Sequence, residues 1–300
     1  MLLVDIVLHD YVIGIIITSF ATLIGEVGQS LSKEELHQRR ESHYELAFIN
    51  GLFGILFFLT IVFLVPSHTE IGQQFSGLVF NIDSLPTFIT RLVLEIILIH
   101  LIIIGLEKAS RATFSFLRIL TIPFLVVADI ALGFNISWLE ILGMGVILTT
   151  VLTMLSTRTL RTAGAWHVAG GSLLAVFTIS LYQYNITNFN SIAGEQLMMY
   201  ACLGTYLGIA SVYTTRKNPL RHLKRPRVAI RAISGGLASV MISFAFLFAP
   251  SSIITTAKRT SAILWAILSG NRFFHEQHIG AKLAGLGMLS ISLIMLAILV

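Results

Sequence analysis

Residues 255–276 read TTAKRTSAILWAILSGNRFFHE, and this stretch decides how the remaining sequence is interpreted. Its apolar run predicts a transmembrane helix that begins near Pro250, yet Lys258 and Arg259 lie two to three turns inside that helix. A cation at the centre of a membrane helix costs about 2.5–3.5 kcal/mol on insertion scales. Adjacent cations at this depth therefore indicate either acidic partners within the membrane or contact with a bound solute.

The composition is that of a polytopic membrane protein. The 300 residues are 55% hydrophobic and 12% charged, and the mean hydropathy is +0.86, whereas a soluble domain has about 25% charged residues. The apolar runs are continuous and lack the two-residue alternation of barrel strands, which favours helices. Ten spans are predicted, with the approximate limits 11–31, 44–65, 87–106, 110–133, 138–156, 163–184, 193–214, 228–248, 251–272 and 279–299.

The basic residues indicate the orientation of these spans. Of the 20 Lys and Arg residues, all except Arg91, Arg118, Lys258 and Arg259 lie in or beside the odd-numbered connections between spans. Because positive charge is retained in the cytoplasm, these connections are predicted to be cytoplasmic, and both ends of this sequence are predicted to be outside. The expected location is the plasma (inner) membrane.

The net charge of +5 is assigned to topology and not to nucleic-acid binding. The basic patch from Arg216 to Arg231 either retains its connection in the cytoplasm or contacts anionic lipid headgroups. The sequence has no metalloprotease, nucleophile-elbow or Walker motif. We therefore predict no enzymatic activity, no cofactor and no metal ion. The expected partners are a small-molecule solute and membrane lipids, with the protein as a monomer or homodimer.

Spans 4–5 and 9–10 are similar to each other. Aligning Arg118 with Arg259 brings Gly143 opposite Gly285 with a one-residue offset. Each half then contains five spans, and an odd number requires the two halves to be inverted relative to each other. We predict an all-α membrane protein with ten transmembrane helices in two inverted five-helix repeats, residues 1–160 and 161–300. Secondary transporters build central binding sites between such repeats.

This arrangement resembles the drug/metabolite transporter superfamily, and its EamA-type members in particular. The resemblance covers the whole chain by architecture and is concentrated in residues 109–150 and 249–295. There, small residues begin spans 4 and 9, an acidic residue such as Glu276 follows, and the next span is rich in glycine. The resemblance implies secondary transport of a small organic solute by alternating access. The family usually has both termini in the cytoplasm, opposite to the charge distribution here, so the direction of transport stays open.

Lys258 and Arg259 resemble the Lys-Arg pair that binds phosphate in the ninth helix of sugar-phosphate/phosphate translocators. Arg118 lies roughly where those proteins have a further basic residue in the fourth helix. The resemblance implies that these residues bind an anionic metabolite, phosphorylated or carboxylated, near the midplane. The residue types fit this role, because a guanidinium presents a planar fork to phosphate or carboxylate and an ammonium adds a compact charge.

Acidic side chains within spans are alternative partners for these cations. The candidates are Glu26, Glu95, Asp129 and Glu195, and Glu95 is the deepest of them. Arg91 is expected either to reach the headgroups or to pair with Glu95 one turn further along span 3. Glu95 is also a candidate substrate contact or proton carrier.

Polar side chains in other spans are candidates for completing a substrate cavity. Asn50, Gln183 and Tyr200 are predicted contacts, although each taken alone is more typical of helix packing. Two other functions stay open at this stage. One is an exporter of neutral or cationic solutes such as amino acids or drugs, and the other is a non-transporting lipid-interacting membrane protein whose basic residues form internal salt bridges.

Overall fold

The computed structural model describes residues 2–37, 42–65, 69–131, 138–156, 163–216, 218–249, 251–274, 280, 284–288 and 290–291. Within these ranges the secondary structure is helical, and no strand is formed. The helices are α1 (Leu2–His37), α2 (His43–Leu64), α3 (Glu70–Ser76), α4 (Leu85–Lys108), α5 (Arg111–Leu117), α6 (Thr121–Ala131), α7 (Trp138–Ser156), α8 (Ala165–Asn188), α9 (Ile192–Thr215), α10 (Pro226–Ala245) and α11 (Ser251–Phe274). Short 3₁₀ turns occur at Ile82–Ser84, Arg118–Leu120 and Pro219–Lys224.

The first nine predicted spans each correspond to helical structure, and span 4 consists of α5 and α6 joined by a 3₁₀ turn. The tenth span, 279–299, falls mainly outside the described residues and stays a prediction. Six helical segments are long and apolar enough to cross a membrane: Tyr11–Gly28, Tyr44–Leu64, Ile82–Lys108, Ala165–Asn188, Ile192–Thr215 and Pro226–Ala245. The described chain is thus that of an all-α membrane protein.

Several helices begin at serine residues that cap the first turn. The Gly194 N–H donates to Ser191 Oγ at 3.1 Å before α9, and the Thr113 N–H donates to Ser110 Oγ at 3.1 Å before α5. These hydroxyls satisfy backbone donors that have no partner within the helix, which matters most where water is scarce. At the other end of α9, Arg216 closes the helix with a left-handed backbone at φ 53°.

The chain divides into two compact units. Unit 1 comprises the described parts of 1–23, 97–180 and 248–300, and unit 2 comprises those of 24–96 and 181–247. Each unit draws on both predicted halves, 1–160 and 161–300. The compact units are therefore not the predicted repeats. The repeat boundary near residue 160 stays a prediction.

The core of unit 1 forms where α11 packs against α5 and α6. Ile263 of α11 is fully buried in the same apolar cluster as Phe116 and Ile119. Helices α4 and α8 also approach closely, because a Cβ added to Gly105 would lie 2.6 Å from Val168 Cγ2. Glycine at this point allows the two backbones to approach, as small residues do in membrane helix pairs.

The core of unit 2 forms where α2 packs against α9 and α10. A Cβ on Gly54 would lie 2.9 Å from the Tyr200 ring, and a Cβ on Gly236 would lie 2.7 Å from the Phe57 ring and 3.2 Å from the Phe53 backbone. Both glycines are therefore packing positions. Gly204 of α9 is different, because a Cβ there would meet no atom within 4 Å among the described residues.

The two kinds of glycine give a matched stability test. We expect Gly236→Ala to lower the thermal midpoint of the detergent-solubilised protein, since overpacking costs about 1–3 kcal/mol. Gly204→Ala should leave the midpoint unchanged or raise it, because alanine is favoured over glycine in a helix by about 1 kcal/mol. Equal shifts for both variants would contradict the packing of α10 on α2.

Candidate functional site

The residues predicted from the sequence to form a site fall into two groups. Unit 1 contains Lys258, Arg259 and Arg118, and unit 2 contains Glu95, Tyr200, Gln183 and Asn50. Each group is described within its own unit.

The basic group of unit 1 is centred on α11. The Arg259 side chain is buried, with 4% of its surface exposed, and Lys258 is half-buried. Ser251, Thr255 and Arg259 are spaced by four residues and are all buried, so they share one face of the helix. This face therefore combines a guanidinium with hydroxyl groups, which are donors suited to an anionic ligand.

Arg118 lies in the 3₁₀ turn between α5 and α6, and this turn packs against α11. Pro123 explains the break, because proline has no N–H to donate to the carbonyl of Ile119 and its ring crowds that carbonyl. The Arg118 side chain is half-buried, with its Cζ 5.3 Å from the centroid of the Phe114 ring. The structure thus brings the Arg118 segment and the helix of Lys258 and Arg259 together.

Side-chain hydroxyls satisfy the carbonyls at this break. Thr121 Oγ1 donates to the Arg118 carbonyl at 2.8 Å, and Ser172 Oγ of α8 donates to the Leu117 carbonyl at 3.0 Å. Non-helical backbone at membrane depth is tolerated where such partners exist or where it lines a cavity. Nothing in the sequence distinguished Ser172, whereas Pro123 indicated a break in the helix.

A buried ion pair dominates one end of unit 2. Arg91 Nη1 of α4 lies 2.6 Å from Glu195 Oε1 of α9, and the two side chains are 6% and 0% exposed. Asn185 Nδ2 donates to the same oxygen at 3.1 Å, and Asn190 Nδ2 donates to Glu195 Oε2 at 2.6 Å. The Arg91 Cζ also lies 4.6 Å from the centroid of the Tyr182 ring. These contacts offset the cost of burying both charges.

This pair corrects the sequence prediction for Arg91. Arg91 pairs with Glu195 and not with Glu95, and its burial shows that it does not extend to the headgroups. Glu195 belongs to the first turn of α9, where a negative charge also interacts favourably with the helix dipole. Asn185 begins a formal glycosylation sequence, but it is fully buried inside α8 and its side chain is used by the ion-pair network.

A second polar cluster lies on the interior faces of α9 and α10. The Tyr200 hydroxyl hydrogen-bonds Ser239 Oγ, and Gln196 Nε2 donates to Ser243 Oγ at 3.4 Å. Tyr200 and Gln196 lie on the face of α9 opposite to its exposed positions 198, 201, 205 and 209. The pairing of Ser239 and Ser243 with α9 was missed from the sequence, although their four-residue spacing marks one helix face.

The remaining predicted residues of unit 2 have different positions relative to this cluster. Asn50 adjoins it, because a Cβ on Gly235, one turn from Ser239, would lie 3.3 Å from Asn50 Oδ1. Glu95 of α4 is half-buried and within electrostatic range of the Tyr200 hydroxyl. Gln183 of α8 is half-buried, and no hydrogen bond joins its Oε1 to a described residue.

The basic patch of the connection between α9 and α10 is partly used by the fold. Arg221 Nη2 and His222 Nε2 lie 3.3 Å from the two carboxylate oxygens of Glu45, which is 1% exposed. Arg231 is buried, and its Nη2 donates to the Leu46 carbonyl at 2.7 Å. Four further basic residues of the patch are exposed: Arg216, Lys224, Arg225 and Arg227.

No protein-family model and no curated protein sequence matches the chain. Among the described residues, no group of three or more His, Cys, Asp and Glu side chains is arranged to hold a metal ion.

The Arg91–Glu195 pair can be tested by its effect on stability. Arg91→Met should lower the free energy of unfolding by about 3–5 kcal/mol, because it leaves a buried carboxylate without a counter-charge. The double variant Arg91→Met/Glu195→Gln should recover part of this loss, since the amide oxygen still accepts from an asparagine. Thermal midpoints in detergent measure both effects, with Lys224→Met, which changes an exposed basic residue, as the control. A double variant as unstable as the single one would contradict the ion-pair assignment.

Proposed function

We propose that the chain is a secondary active transporter, resembling the EamA-type members of the drug/metabolite transporter superfamily, that moves a small organic anion by alternating access. The observation that carries the proposal is the buried Arg259 on a hydroxyl-rich face of α11, packed against the broken helix of Arg118. Intramembrane ionisable residues mark substrate or ion pathways far more often than lipid contacts.

The proposed site uses each basic residue differently. Arg259 presents two parallel N–H donors to a phosphate or carboxylate, and Lys258 adds a compact positive charge one residue earlier. Arg118 adds a third charge from the 3₁₀ turn that packs on α11. A low dielectric strengthens all three attractions relative to water. The proposed solute is therefore a phosphorylated or carboxylated metabolite, bound without chemical conversion.

Helix packing within each unit supports the proposed inverted repeat. Helices α2 and α9 are the second and seventh predicted spans, and they pack against each other in unit 2. Helices α5–α6 and α11 are the fourth and ninth predicted spans, and they pack against each other in unit 1. Equivalent elements meet in this way where a two-fold axis between repeats passes between them, as in transporters with inverted repeats.

The division into units supports the same symmetry. Predicted spans 1 and 6 are equivalents, and each is shared between the units, with breaks after Leu23 and Ser180. Spans 2 and 7 lie in unit 2, and spans 4 and 9 lie in unit 1. Spans 3 and 8 depart from the pattern, because α4 is divided after Ile96 whereas α10 lies wholly in unit 2.

The proposed setting is the plasma (inner) membrane, with both ends of this chain outside. The distribution of basic residues among the connections supports this orientation. The proposed rivals differ in what they bind. An exporter of amino acids or drugs would need a neutral or cationic site, and a non-transporting lipid-interacting protein would move no solute.

The test is solute uptake by purified protein in liposomes, with labelled inorganic phosphate, glycerol phosphate and malate as probes. Arg259→Ala should reduce uptake about 10–150-fold, since a charge-assisted hydrogen bond contributes about 1.5–3 kcal/mol. Arg259→Lys should retain more uptake than Arg259→Ala, because lysine keeps the positive charge although it lacks the planar guanidinium. Lys224→Ala, which removes an exposed charge, is the matched control and should transport normally.

The thermal midpoint of each variant separates lost binding from lost folding. Unchanged uptake of all anions in a correctly folded Lys258→Ala/Arg259→Ala double variant would overturn the anion site. Uptake of labelled amino acids or organic cations, with no uptake of the three anions, would identify the exporter instead.

A further inference from the structure

Glu95 lies deep within α4. It is about 15 Å along the helix axis from Leu85 and about 20 Å from Lys108, at a rise of about 1.5 Å per residue. In a helix long enough to cross a membrane, this depth places the residue near the centre of the apolar layer. An acidic side chain at this depth is costly unless something compensates its charge.

The Glu95 side chain lies opposite the exposed face of α4. The exposed positions of the N-terminal half of α4 are 86, 89, 90, 93 and 97, and they share one face of the helix. At 3.6 residues per turn, Glu95 lies about 180° from the centre of this face. Glu95 is half-buried at this position.

No hydrogen bond or ion pair joins the Glu95 carboxylate to another of the described residues. Arg91, one turn away on the same face, is already held by Glu195 at 2.6 Å. The Tyr200 hydroxyl is neutral and lies within electrostatic range of Glu95. This hydroxyl is hydrogen-bonded to Ser239. Glu95 is thus a half-buried carboxyl of α4 that no described cation binds directly.

We propose that Glu95 is a proton-binding carboxyl that couples transport to a proton gradient. The inference rests on the proposed transport function and adds the coupling ion. The carboxylate takes one proton from water on one side of the membrane and returns it on the other, and no other bond changes. A proton that travels with an anion offsets the charge that the solute carries across the membrane.

The titratable and charged groups around Glu95 are few among the described residues. Arg91 lies on its own helix, Glu195 and Tyr200 lie on α9, and Tyr182 lies on α8 beside Arg91. The facing side chains of α10 and α2 in this cluster, Ser239, Ser243 and Asn50, do not titrate. Arg91 and Glu195 are bonded to each other, and Glu26 of α1 is buried with an interaction of its own. Glu95 differs from these acids of unit 2, because it is half-buried and no described residue is bonded to it.

The first experiment needs no solute. Infrared difference spectra of the purified protein, recorded as pH is lowered, should contain a protonated-carboxyl C=O band that is absent from Glu95→Gln. Glu107→Gln replaces the exposed acid near the end of the same helix and is the matched control, which should retain the band. The other carboxyls of the chain contribute bands of their own, so the readout is the component that Glu95→Gln removes. Identical difference spectra for the wild type and Glu95→Gln overturn the proposal.

The second experiment measures coupling in liposomes with labelled phosphate, glycerol phosphate and malate. A gradient of one pH unit supports at most about tenfold accumulation at one proton per solute. The wild type and Glu107→Gln should accumulate a probe under this gradient. The pH gradient should not increase probe uptake by Glu95→Gln, even if this variant still exchanges the probe. Stimulation by a sodium gradient alone overturns proton coupling. A wild type that moves no probe refutes the proposed function, while the infrared result still decides whether Glu95 binds a proton.

Discussion

The ion pair between Arg91 and Glu195 illustrates the constraint on which the polar interior of this protein depends. A charge in an apolar interior must be paired, hydrogen-bonded or used. Here two asparagines bind the carboxylate oxygens and the Tyr182 ring lies beside the guanidinium. Both charges are thus compensated by neighbours from α4, α8, α9 and the connection between α8 and α9. The same rule accounts for Glu45 and Arg231, whose buried charges have partners in the adjacent connection and backbone.

The backbone obeys the same constraint where a helix is interrupted. Pro123 removes a donor from the fourth predicted span, and the chain responds with a 3₁₀ turn at Arg118. The hydroxyls of Thr121 and Ser172 then donate hydrogen bonds to carbonyls at the break. A polar break of this kind inside an apolar segment gives Arg118 a position that a continuous helix would not provide, against the helix that carries Arg259.

The sequence predicted the helices better than the contacts between them. Apolar length located nine helical segments, because hydropathy is a local property that each segment carries by itself. The partner of Arg91 could not be found in this way, because Glu195 is 104 residues away and Glu95 is the local candidate at helical spacing. The contact of Tyr200 with Ser239 and the two compact units were missed for the same reason, since both depend on which helices become neighbours in space.

The contrast between Arg91 and Glu95 then separates structural charge from functional charge. The two residues are four positions apart on one face of α4, so they share a helix, a face and nearly the same depth. Arg91 is bonded to a carboxylate and lies beside an aromatic ring. Glu95 is half-buried, and no hydrogen bond or ion pair joins it to another described residue. Stability alone would favour a neutral residue at position 95, because an uncompensated carboxylate in an apolar layer only adds cost. A half-buried carboxyl that no described residue binds is the kind of group that the proposed proton coupling requires.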